Sequence, residues 1–112
     1  MTPRERAELE EMGIVVLTCT HALGDDVSEG LGVRAPNRIV RETLYRFCQG
    51  MKVAVEVTLM AADAGLLDPS KEALAIAGSG EGADTAIVVK PACTRKFREM
   101  EIREILAKPR SA

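Results

Sequence analysis

The sequence predicts one α/β domain, and three observations carry that reading. Ile14-Val-Val-Leu-Thr-Cys19 is a continuous, β-branched apolar run, as expected of a strand buried on both faces in a parallel sheet. Ala73 to Lys90 reads as strand, glycine-rich hinge, strand. Between these regions lie stretches with helical spacing, Pro36–Gln49 and Met51–Gly65. A chain of 112 residues has room for one domain and one core.

Each element has a local cause. Thr2-Pro3-Arg4-Glu5 is a capping box with proline at the first helical position. It starts a short helix expected to end near Met12, with Gly13 as the stop. After the strand at Ile14–Cys19, a loop rich in glycine and aspartate runs from Thr20 to Ala35. Connections of that length are usually functional or mobile. From Pro36 to Gln49, Ile39, Val40, Thr43, Leu44, Phe47 and Cys48 share one helical face. Arg38, Arg41, Glu42 and Arg46 lie opposite, and Gly50 reads as the C-terminal stop.

Met51 to Gly65 fits two patterns. Val53, Val55, Val57 and Leu59 alternate as in a strand. The segment is too long for one strand, and Lys52 and Glu56 stand at the spacing of a helical ion pair. Helix is preferred, buried on nearly all sides. Glu72–Ala77 and Thr85–Lys90 are strands. Ala92–Met100 is irregular or a short helical turn, and Glu101–Lys108 is the last strand, carrying Ile102, Ile105 and Leu106.

Composition narrows the function. With 15 basic and 17 acidic residues, the net charge is −2. A nucleic-acid surface needs a clustered basic excess, and with no Trp, one Tyr and two Phe base stacking is not expected. No apolar run approaches the roughly 20 residues of a membrane span. Met1-Thr-Pro-Arg-Glu-Arg lacks the apolar core of a signal peptide, so the expected compartment is cytoplasmic. Cys19, Cys48 and Cys93 form no C-x-x-C, and His21 is the sole histidine. A structural zinc site is not expected. Cys48 reads as core, and Cys19 as packing at a strand end.

The hinge Gly78-Ser-Gly-Glu-Gly-Ala-Asp-Thr85 is the strongest functional signal. Gly78-x-Gly80-x-x-Ala83 loosely matches a dinucleotide fingerprint, but that motif must open a helix, and a strand follows instead. No Gly-Lys-Ser/Thr is present, which excludes a P-loop. Two readings stay open. One is a tight connection between adjacent strands, with glycines supplying positive φ. The other is a backbone cradle for a phosphate or carboxylate, with Ser79, Ala83, Asp84 and Thr85 completing it. Thr18, Thr20 and His21 follow the first strand, where α/β sheets place ligands. Glu56 and Asp63, seven residues apart on one helical face, make an acid–base alternative in which His21 joins them.

Taken together, Lys52-Val-Ala-Val-Glu-Val-Thr-Leu-Met-Ala-Ala-Asp-Ala-Gly65, Ala75-Ile-Ala-Gly78, Gly82-Ala-Asp-Thr-Ala86, Lys90-Pro-Ala92 and Glu101-Ile-Arg-Glu-Ile-Leu-Ala-Lys-Pro-Arg110 resemble the stand-alone proteins related to the C-terminal domain of pyruvate kinase. The resemblance covers nearly the whole chain. It implies a three-layer α/β/α domain with a mixed sheet whose last strand is antiparallel. It implies no pyruvate kinase activity, because the parent enzyme's catalytic segments are absent. It also implies a non-catalytic domain binding FMN or another small phosphorylated ligand. On the residue reading above, Thr18, Thr20, His21, Gly78, Ser79, Gly80, Gly82, Ala83, Asp84 and Thr85 are expected to line that site. Such relatives carry further strands and helices ahead of the point where this chain begins, so an N-terminally incomplete domain with a truncated start is expected. Ile14-Val-Val-Leu17 would then be an unprotected edge. A homo-oligomer, or pairing with a complementary fragment, follows as the expected assembly.

Overall fold

The computed structural model describes residues 1–19 and 36–111. Helix α1 spans Pro3–Glu11, α2 Pro36–Tyr45 and α3 Gln49–Asp63. Strands β1 (Ala73–Ala77), β2 (Thr85–Lys90) and β3 (Glu101–Ala107) form one sheet, with a 3-10 turn at Thr94–Glu99 before β3. The fold is mixed α/β: helices first, then an antiparallel sheet in the order β1-β2-β3, packed on α3.

Helix α1 begins as its capping box dictates. The Glu5 amide donates to the Thr2 hydroxyl at 3.1 Å, and the Thr2 amide donates to the Glu5 carboxylate at 2.8 Å. Gly13, at φ +83°, ends it in a conformation that favours glycine.

Alternation along the strands builds the core. Thr85, Ile87 and Val89 of β2 and Ala75 and Ala77 of β1 are buried. They meet Met51, Ala54, Val55 and Leu59 of α3, with Leu44 and Cys48 closing one end. Helix α3 is buried on nearly all sides, as its all-round apolar character requires. The opposite sheet face is open. Leu74 and Ile76 are 57% and 56% exposed there, in register with Val88 and Ala86 of β2. Among the described residues no helix is long and apolar enough to cross a membrane.

Three expectations need correction. Ile14–Cys19 is not a strand. The run lies outside the sheet, beside α1, where the Arg6 guanidinium donates to the Val16 carbonyl at 3.3 Å and the Thr18 hydroxyl at 3.4 Å. Ile14, Val15 and Leu17 are exposed. A β-branched run becomes a strand only when a neighbour takes its hydrogen bonds. The unprotected edge therefore does not lie at Ile14–Leu17, and Cys19 packs at no strand end. Second, the described strand pairs are all antiparallel, so the sheet is not mixed over these residues; the antiparallel last strand does stand as expected. Third, Gly50 does not stop the preceding helix. Helix α2 ends at Tyr45, and Gly50 is the second residue of α3. Cys48 caps α3, its sulfur accepting from the Met51 amide at 3.3 Å.

Candidate functional site

The hinge joins β1 to β2 as a hairpin connection, closed by the Asp84 amide donating to the Ala77 carbonyl at 3.0 Å. Gly82 sits at φ +77°, so one glycine has the conformational role expected of a tight strand connection. Gly78 is glycine for space. A Cβ there would collide with the Gly82 carbonyl oxygen and lie 3.3 Å from the Ala83 Cα.

Asp84 braces the loop from inside. One carboxylate oxygen accepts from the Thr85 hydroxyl at 2.7 Å. The other accepts from the Ser79 hydroxyl at 3.1 Å and the Ser79 amide at 3.4 Å. The Thr85 bond, foremost, holds the Asp84 carboxyl below the usual aspartate range, with the Ser79 bonds adding to it. Since Thr85 spends its proton on the carboxylate, its oxygen accepts from the Cys48 thiol, 3.4 Å away. A directed chain thus runs from the start of α3 through Cys48 and Thr85 to Asp84 and the hinge.

The sign of the Asp84 effect is defined. A carboxyl with a depressed folded pKa stabilises the fold above its unfolded value, here 3.8, and that stability disappears as pH falls through the folded value. Between about pH 5 and pH 2, wild type should therefore lose more thermal stability than Asp84→Asn. Melting curves across that interval check this; parallel curves would contradict it.

The outer arc differs from the braced interior. Ser79, Gly80, Gly82 and Ala83 are exposed. A Cβ on Gly80 or Gly82 would meet nothing within 4 Å, so the backbone there is open to close approach. Thr85 is fully buried and acts inward. Thr18 is exposed and held by Arg6 of α1. Thr20 and His21 lie outside the described residues.

The acid–base candidates have structural partners. Lys52 and Glu56 form a buried ion pair at 2.9 Å within α3. The Asp63 carboxylate accepts from the Thr94 amide and hydroxyl, both at 2.8 Å, and so fastens the 3-10 turn to the end of α3. At the far end of β2, Lys90, Arg95 and Lys96 line a cavity of about 550 Å³ with Pro69 and Pro91. Lys90, Arg95 and Lys96 thus stand at the end of β2 away from the hinge, and the Gly78–Thr85 segment itself contains no Lys or Arg.

Sequence reasoning missed Gly50. A Cβ on it would collide with the Thr85 hydroxyl and lie 2.6 Å from an Asp84 carboxylate oxygen. It is the contact that lets α3 start directly beneath the hinge. No family model matches the chain.

Proposed function

We propose that this chain is a non-catalytic, small-molecule-binding α/β domain of the kind related to the C-terminal domain of pyruvate kinase, cytoplasmic in location. Its ligand is FMN or another phosphorylated small molecule, and its contact surface is the Gly78–Thr85 hinge. The observation carrying this reading is the contrast within the loop: a braced interior built on Asp84, and an outer backbone at Gly80 and Gly82 with open space around it. A braced loop presenting bare amides costs little to order on binding.

The hinge chemistry fits such a ligand in parts. The amides near Gly80 and Gly82 would receive phosphate oxygens, and the Asp84 carboxylate would accept from ligand hydroxyls. The three-layer arrangement belongs to the same proposal. The apolar face carrying Leu74 and Ile76 is the surface that further polypeptide, supplied by a complementary fragment, would cover.

Fluorescence titration with FMN tests the reading. Gly80→Val should weaken binding at least tenfold while leaving the melting temperature unchanged, because the added side chain meets open space in the free protein. Equal affinity in the variant would remove the cradle from consideration. No binding by the parent at millimolar FMN would remove FMN as the ligand.

A further inference from the structure

Among the described residues β1 has one neighbour, β2, so its other edge has no strand against it. The sheet's two edges differ in kind. Edge strand β3 carries Glu101, Arg103 and Glu104, with Arg103 tied to Glu72 at 2.9 Å and Glu101 at 3.0 Å, and its pairing to β2 is interrupted by register shifts. Charges and irregular pairing are what keep an edge from recruiting another chain. Strand β1, Ala73-Leu-Ala-Ile-Ala77, has no charge, proline or glycine, and its register with β2 is unbroken.

That strand is also nearly palindromic about Ala75. In an antiparallel partner related by a two-fold axis through Ala75, Ala73 faces Ala77 and Leu74 faces Ile76, each pair occurring twice. Leu74 and Ile76 lie on the open sheet face, so their cross-strand contacts form without disturbing α3. The chain bends at Lys71 and at Ser79, so the pairing is confined to Ala73–Ala77.

We propose that this chain forms a two-fold symmetric dimer in which β1 pairs with β1 of a second copy, joining two three-stranded sheets into one of six. Such an interface is isologous and closes on itself. A five-residue edge is small beside the roughly 1,200 Å² lower bound of a standard interface, so dissociation is expected on the order of micromolar concentration.

Sedimentation of the full chain at 1 to 100 µM tests this, with concentrations set around that estimate. The mass should rise with concentration from 12.1 kDa to twice that value. Leu74→Lys with Ile76→Lys sets cation against cation across the axis and should weaken the dimer at least tenfold. Leu74→Lys with Ile76→Glu sets Lys against Glu at both contacts and should restore it. Circular dichroism verifies that each variant is folded. Should either variant fail to fold, hydrogen exchange on the wild type decides, since β1 amides should gain protection as concentration rises. A wild-type monomer at 100 µM, or a dimer indifferent to both variants, overturns the proposal. A dimer lost in both charged variants places the contact on the open face and overturns edge pairing. Assemblies beyond two copies overturn the closed symmetry.

Discussion

Gly50→Ala should destabilise the protein by about 2 kcal/mol, although alanine is the better helix former. Replacing glycine by alanine inside a helix normally gains up to about 1 kcal/mol. Here the new methyl group would collide with the Thr85 hydroxyl and lie 2.8 Å from the Thr85 Cβ. Thr85 cannot swing away cheaply, since it is buried and bonded to Asp84 at 2.7 Å. Either β2 moves off α3 or the chain from Cys48 to Asp84 breaks. Overpacking of this kind costs about 1–3 kcal/mol, with a lost buried hydrogen bond adding about 1 kcal/mol. In a domain of this size the net loss corresponds to a fall in melting temperature of roughly 8–15 °C. Gly80→Ala is the matched control, because its methyl group meets open space. Thermal melts of the two variants decide the matter. Equal melting temperatures would mean that the start of α3 does not rest on the hinge.

The Gly50 case also shows where one-dimensional reading stops. A glycine after an amphipathic run looks like a helix stop, because that is its commonest local use. The reason for this glycine lies 35 positions away, at Thr85, and no periodicity reports a contact of that range. The Ile14–Cys19 run is the converse. Its composition favours a strand, but strand formation depends on a neighbour that the local sequence does not supply. Elements whose causes are local were legible: the Thr2 capping box and strands β2 and β3. Ala92–Met100 was open between irregular chain and the helical turn that stands at Thr94–Glu99, and the antiparallel last strand followed from the family resemblance rather than from local pattern. Helix α3 was legible from its length and from the Lys52–Glu56 spacing, despite alternating valines. In the site, the glycine-rich connection was visible. The inward role of Asp84 was not, because Ser79 and Thr85 are equally plausible as ligand contacts until their bonds to that carboxylate are seen.

Glu56→Leu should cost about 3–5 kcal/mol, the largest single-residue loss expected here. Lys52 and Glu56 are buried within α3, 2.9 Å apart. Removing the carboxylate strands an ammonium group in the core without its counter-charge, and that desolvation cost has no local remedy. Lys52→Met should cost less, because Glu56 also interacts beyond this pair and keeps that support. The double variant should lose less than the sum of the two, by at least about 1 kcal/mol, since residues in one ion pair are coupled. Urea denaturation of the four proteins closes the cycle. Additive losses would show that the pair is not a unit. A loss under 1 kcal/mol for Glu56→Leu would contradict the burial argument. The same cycle bears on function. A general acid or base must reach a substrate proton within hydrogen-bond distance, or through one water. A carboxylate closed against Lys52 inside the core reaches one only if α3 opens. A strongly coupled, stabilising pair would therefore place Glu56 among the residues that hold α3 beneath the sheet, and leave binding chemistry to the exposed arc at Gly80–Gly82.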